Sequence, residues 1–304
     1  MTPRNLFITL SNIGDAVLTT PALRVLHDAF PDHRIDIVAD PRSAGLFEHC
    51  PFLGELFLLR KRLGWPGRLA LVRRLRKQHY DVAVDLRTEV LAWLARAGRR
   101  YTRLNTRRVD GHAVERHLAV VRPLLSGPPP PTRAWLGGAE RDWAARMLAR
   151  LPGRRWLAIA PGANWPPKIW PLQYFQELLE RLRDQFDAAI VCGGPNDFAP
   201  AAALTRASPL PALNLAGETS LLQAAAVLER AAYFVGNDSG PGHLAAAVGT
   251  PTLTLFGPGE PERYHPWAPG AQWLCAPEQD LKRLAPATVA ARILAGRPQP
   301  ASAS

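Results

Sequence analysis

Asn5-Leu-Phe-Ile-Thr-Leu10, then Ser11-Asn-Ile-Gly-Asp15, then an amphipathic run over 20–30: this stretch decides the fold. A short, unbroken apolar run that passes through a glycine-bearing turn into a helix is the first half of a βαβ unit. Strands apolar on both faces belong to parallel sheets covered by helices. The same alternation continues outward, with strands over 34–39, 55–59 and 80–86 and helical patterns at about 66–78 and 88–98.

Ser126-Gly-Pro-Pro-Pro-Pro-Thr132 interrupts the pattern. Four consecutive prolines cannot continue a helix or a central strand and favour a stiff, extended connector. The alternation then restarts, with strands over 156–160, 188–192, 233–236 and 252–256. Helices follow over 172–186, 221–230 (with Ser220 as its N-cap), 240–248 and 286–295. The expected fold is α/β, two Rossmann-like doubly wound parallel-sheet domains over 1–130 and 131–296 facing across a cleft, with a disordered Pro/Ala/Ser tail over 297–304. A length of 304 residues suits two such domains.

Composition narrows the class. The chain is 47% apolar and 21% charged, enough for ordinary cores. No stretch approaches the roughly 20 apolar residues of a membrane-spanning helix. The 6–10 run is too short for a signal peptide, and Asp15 follows soon after. Cys50, Cys192 and Cys275 have no C-x-x-C spacing, which excludes a disulfide framework or cysteine zinc cluster and fits a reducing cytoplasm. The formal net charge is +11. Residues 1–150 hold 25 Lys and Arg against 14 Asp and Glu, and the remainder holds 12 against 12, so the whole excess sits in the first half. Its densest part is Arg60, Lys61, Arg62, Arg68, Arg73, Arg74, Arg76 and Lys77, with no acid between Leu56 and Tyr80. Such a field captures anionic partners: nucleic acid, a membrane surface or a phosphorylated substrate.

Ligands of doubly wound sheets bind outside the carboxyl ends of the strands, and three such places stand out. In Ser11–Asp15, Gly14 permits a tight turn. Asp15 reads equally as a helix cap or as a carboxylate that takes a proton from a substrate hydroxyl. In Pro161-Gly-Ala-Asn-Trp-Pro-Pro-Lys-Ile-Trp170, Lys168 is a point charge suited to phosphate, with Asn164 beside it. In Gly236-Asn-Asp-Ser-Gly-Pro-Gly-His-Leu-Ala-Ala-Ala247, a small-residue helix opens at Asp238-Ser239-Gly240, and its free amides suit a diphosphate. His243 falls in its first turn. The motif is neither G-x-G-x-x-G nor a P-loop.

In order and place, these three motifs resemble those of glycosyltransferase family nine, the ADP-heptose:lipopolysaccharide heptosyltransferases, over about residues 4–268. The resemblance implies a GT-B fold and metal-independent, cofactor-free, inverting transfer from ADP-L-glycero-D-manno-heptose to an anionic glycolipid acceptor. It implies Asp15 as general base and Lys168 as neutraliser of the departing diphosphate. It places Asp238, Ser239 and Gly240 around the donor and the acceptor on the first domain. Beside these, position adds His243, Asn164 and Asp197 on the donor side, and the glycine turn and the basic cluster add Gly14, Arg60, Arg73, Arg74 and Lys77 on the acceptor side. Two departures stand out: Ala163 and Asn164 replace the family's frequent Ser or Thr, and Asn196-Asp197 replaces its usual Glu after Gly193-Gly194-Pro195. The implied setting is the cytoplasm, with the basic 60–77 segment against an anionic acceptor or the inner face of the membrane. The same chemistry with a protein or secondary-metabolite acceptor, or a nucleotide-sugar epimerase, is the alternative. A nucleic-acid partner is not expected, since no RNP, zinc-finger or helix-turn-helix signature is present.

Overall fold

The computed structural model describes residues 3–60, 64–106 and 109–296. Lys61, Arg62 and the 297–304 tail lie outside the described residues. The chain divides into two compact units, 1–137 and 138–304.

The first unit contains β1 (Arg4–Ile8), α1 (Ile13–Ala29), β2 (Arg34–Ala39), β3 (Leu53–Leu58), α2 (Trp65–Leu75), β4 (Tyr80–Asp85), α3 (Leu91–Leu94), β5 (Ala97–Thr102) and α4 (Ala113–Val120). Its five strands are parallel in the order β3-β2-β1-β4-β5. The apolar runs that mark β1, β2 and β4 are buried on both faces, and Leu6, Ile8, Val38, Phe57, Tyr80 and Ala83 pack into one core.

The second unit contains α5 (Gly138–Leu148), β6 (Trp156–Ala160), α6 (Leu172–Leu182), β7 (Ala188–Val191), α7 (Phe198–Arg206), β8 (Ala212–Asn214) and α8 (Leu221–Glu229). It continues with β9 (Tyr233–Asn237), α9 (Gly240–Ala247), β10 (Thr252–Phe256), α10 (Pro261–Tyr264), β11 (Ala271–Cys275) and α11 (Pro286–Gly296). Its six strands are parallel in the order β11-β10-β9-β6-β7-β8. Counted within each unit, both sheets follow the doubly wound order 3-2-1-4-5, to which the second adds a sixth strand. The switch point, where strand order reverses, lies between β1 and β4 in the first unit and between β6 and β9 in the second.

The helix expected over 88–98 is corrected. Only Leu91–Leu94 is helical, and Ala97–Thr102 is the edge strand β5. Buried Asp85, which closes β4, explains the early stop. Its carboxylate accepts from the amides of Arg87 (3.0 Å), Thr88 (2.7 Å) and Ala92 (3.3 Å) and from the Thr88 hydroxyl (2.6 Å). These bonds wind the chain into a compact loop rather than a long helix.

Candidate functional site

Both switch points carry the polar residues singled out in the sequence. In the first unit, α1 begins at Ile13 with Asn12 in the N-cap position. Asp15 is therefore the third helical residue and not the cap. Asn12 Nδ2 donates to its Oδ2 at 2.9 Å. The carboxylate opens into a cavity of about 1110 Å³ lined by Leu10–Asn12, Asp15, Arg42, Leu59, Arg60, Arg87–Thr88 and residues of α2 and α3. One wall is apolar, with Trp65, Leu69, Val72, Leu91 and Leu94. The opposite chemistry comes from four arginines, Arg42, Arg60, Arg68 and Arg87.

The structure separates the expected acceptor residues. Arg60 lines this cavity, and Gly14 follows Asn12 in the first turn of α1. Arg73, Arg74 and Lys77 are not among the lining residues. Arg74 instead pairs with Glu55, its guanidinium 4.8 Å from the Phe57 ring centroid. A helix turns its residues through all directions, so a run of basic residues cannot share one face. Arg42 and Arg87 were missed in sequence because they are isolated; their only signal is that each follows a strand by two or three residues.

In the second unit, Lys168 ends a 3-10 turn, Pro166–Lys168, after β6. Its Nζ donates to Asp238 Oδ2 at 2.5 Å, with both side chains largely buried. Ser239 occupies the N-cap position of α9 and Gly240 is its first residue; the Ser239 hydroxyl donates to the Asn237 carbonyl at 3.1 Å. Gly259, after β10, lies beside the pair: a Cβ there would stand 3.4 Å from Asp238 Oδ2 and 3.9 Å from Lys168 Nζ. Asn164 is exposed on the loop, and His243 is buried in the first turn of α9.

Asn237, unnamed among the candidates above, organises this switch point. Fully buried at the end of β9, its Nδ2 donates to the Pro161 carbonyl at 2.7 Å and its Oδ1 accepts from the Trp170 amide at 3.0 Å. One side chain thus pins both ends of the Lys168 loop. Trp170 anchors that loop, fully buried against Phe175, with its indole N–H donating to the Leu284 carbonyl at 2.9 Å. Asp197 acts on backbone: its Oδ2 accepts from the Gly194 amide at 2.8 Å, and its carboxylate fills the space a Cβ on Gly162 would need.

Two doubly wound units, each with polar residues at its switch point, have the architecture of GT-B proteins. The sequence profile of glycosyltransferase family 9 (heptosyltransferase) matches residues 68–291, and the chain belongs to that family. Among curated relatives, lipopolysaccharide heptosyltransferase 1 of Pseudomonas aeruginosa is 30% identical over 292 residues, spanning 85% of this chain and 79% of that one. Lipopolysaccharide heptosyltransferase 3 of Escherichia coli K12 is 28% identical, spanning 84% of this chain and 82% of that one. The solved E. coli ADP-heptose lps heptosyltransferase II superposes with a TM-score of 0.81 at 25% identity, over 96% of this chain and 98% of that one. No helix among the described residues is long and apolar enough to cross a membrane.

Proposed function

We propose that this enzyme transfers a heptose from ADP-L-glycero-D-manno-heptose, with inversion, to an anionic acceptor of the lipopolysaccharide inner core. The observation that carries the reading is the Lys168–Asp238 pair, seated at the head of α9 in a chain whose relatives are named heptosyltransferases. Asp15 takes the proton of the acceptor hydroxyl, whose oxygen then attacks the anomeric carbon while the bond to the ADP oxygen breaks. The leaving diphosphate gains charge, and Lys168, steadied by Asp238, together with the first amides of α9, stabilises it. Ser239, Gly240 and the open backbone at Gly259 leave room for the phosphates to approach. No metal and no cofactor enters the reaction in this reading. Its setting is the cytoplasm, with peripheral contact at the inner face of the membrane through α2.

A thermal-shift panel with ADP, UDP, GDP and CMP tests the donor. ADP alone should raise the transition, since a ligand at 100 times its dissociation constant adds about 2.7 kcal/mol. Selective stabilisation by UDP or GDP would discard heptose as the donor sugar.

A further inference from the structure

Two arginines of the first-unit cavity hang from one carboxylate. Asp40, just after β2, is 3% exposed. Its Oδ1 accepts from Arg42 Nε at 2.9 Å, and its Oδ2 accepts from Arg87 Nη2 at 3.3 Å. Arg42 is thus fixed from β2, while Arg87 is fixed twice, by Asp40 and by the Asp85-wound loop after β4. Burial pushes the Asp40 carboxyl up, but the hydrogen bonds of Arg42 and the charges of Arg42 and Arg87 outweigh it and hold the group below its ordinary range. Asp40 is therefore a charged clamp at neutral pH.

The clamp leaves two guanidiniums to one carboxylate. Arg87 Nη1 is buried and has no hydrogen-bond acceptor among the described residues. A buried N–H of a charged group left in this way costs more than a neutral one, and an anion offering paired oxygens removes that cost. The pair also stands close to the base. Arg42 Nη1 donates to Asn12 Oδ1 at 3.4 Å, and Asn12 Nδ2 donates to Asp15 Oδ2 at 2.9 Å. One asparagine therefore separates the arginine from the carboxylate that takes the proton.

We propose that Arg42 and Arg87, positioned by Asp40, form a seat for a carboxylate or phosphate carried by the same acceptor sugar whose hydroxyl Asp15 deprotonates. This rests on the reading of the first-unit cavity as the acceptor site. The short span from Arg42 through Asn12 to Asp15 suits an anion and an attacking hydroxyl carried by one sugar residue. Asp40 is a positioning residue, since among the described residues its carboxylate hydrogen-bonds to Arg42 and Arg87. Arg60 and Arg68 line the same cavity, while Arg73, Arg74 and Lys77, outside its lining, are left to longer-range attraction.

The test needs no donor and no native acceptor. Binding of D-glucuronate, glucose 6-phosphate and glucose to the full chain is measured by saturation-transfer NMR at low salt. One of the two acids should bind and glucose should bind far more weakly. Preference for glucuronate marks a carboxylate seat, and preference for glucose 6-phosphate marks a phosphate seat. Arg87→Gln should weaken the preferred acid roughly tenfold, the effect of losing a charge-assisted hydrogen bond. Asp40→Asn should weaken it by a smaller factor, and Asp40→Glu should restore part of the loss. Arg24→Gln, which removes an exposed charge paired with Asp28, should leave it unchanged. Glucose binding as well as the acids, no acid binding, or full affinity in Arg87→Gln would overturn the seat. ADP stabilisation, measured on every variant, reports folding. Its absence from the unmodified chain would overturn the donor reading while leaving the acid-binding result to stand or fall by itself.

Discussion

Asp15 owes its place to Asn12. With the cap position taken by Asn12, the carboxylate at the third helical position is free to face the cavity, and the asparagine amide orients it. Lys168 is held by the opposite device, an acid that will remain when substrate has gone. Substitutions should separate the two. Asp15→Ala should lose transfer by about two to four orders of magnitude, the usual contribution of a general base, with ADP binding retained. Lys168→Ala should weaken ADP binding and turnover together, because it strips a cation and leaves Asp238 facing the phosphates. Comparison of ADP thermal shifts with transfer rates checks both; turnover surviving in Asp15→Ala removes that residue from the mechanism. At this scale the sequence showed residues that sit in a motif and hid those that act through partners. Asp15, Lys168 and Asp238 were marked as candidates by their places after strands together with the family resemblance. Asn237, Asp40, Arg42 and Arg87 were not, because their value lies in hydrogen bonds to segments 30 or more residues away.

Among elements, legibility followed apolar periodicity. Helix α6 buries Phe175, Leu178, Leu179 and Leu182, one face at helical spacing, and its start was read correctly. The strands at Arg34–Ala39, Trp156–Ala160 and Thr252–Phe256 were read with the observed bounds, being short, mostly apolar or β-branched runs. Helix α5 buries only Ala144 and Leu148, and edge strand β5 is Ala-Gly-Arg-Arg-Tyr-Thr, so neither carries a signal. Helix α4 went unread as well. It is closed by a capping box in which the Val114 amide donates to His112 Nδ1 at 3.2 Å and the Glu115 carboxylate accepts from the His112 amide at 2.9 Å. The same helix buries His117, and that burial, with the charges of Arg103 and Arg116, pushes its pKa down to about 3. Above the ordinary value near 6.5 the ring is neutral folded and unfolded. Below it the unfolded chain takes up a proton that the folded chain refuses, so stability falls as acid is added. Between pH 7 and pH 5 the loss should be about 2 kcal/mol, at about 1.4 kcal/mol per unit. Urea titrations at the two pH values should show it, and His117→Gln should flatten the slope. An unchanged slope in that variant would assign the acid sensitivity elsewhere.

Across the whole molecule, charge and apolar exposure concentrate in one unit. Residues 1–137 hold 22 Lys and Arg against 12 Asp and Glu, while 138–304 hold 15 against 14. The same unit exposes Trp65 (83%) and Trp93 (54%), and the exposed Leu69, Val90 and Leu94 line the cavity with Trp65. Indole rings with basic neighbours suit the headgroup region of a bilayer, where each nearby Lys or Arg adds about 1 kcal/mol against anionic lipid. The chain should therefore sediment with phosphatidylglycerol vesicles at low salt, release as salt rises, and ignore phosphatidylcholine. Replacing Trp65 and Trp93 with serine should lower the bound fraction. Equal binding to neutral vesicles, or none to either, would leave the charge without a membrane role.

The sheet order also sets a timetable for synthesis. Strand β1 is made first yet ends in the middle of its sheet, between β2 and β4. Its partner on one side, Arg34–Ala39, leaves the ribosome soon after, but Tyr80–Asp85 must wait for a further strand, β3, and helix α2. At about 5–20 residues per second, the open edge of Arg4–Ile8 waits for several seconds. That edge is apolar and unpaired while it waits, which is when a nascent chain is most exposed to sticking to its neighbours. Slowing translation between residues 40 and 80 would lengthen that interval, and hastening it would shorten the danger.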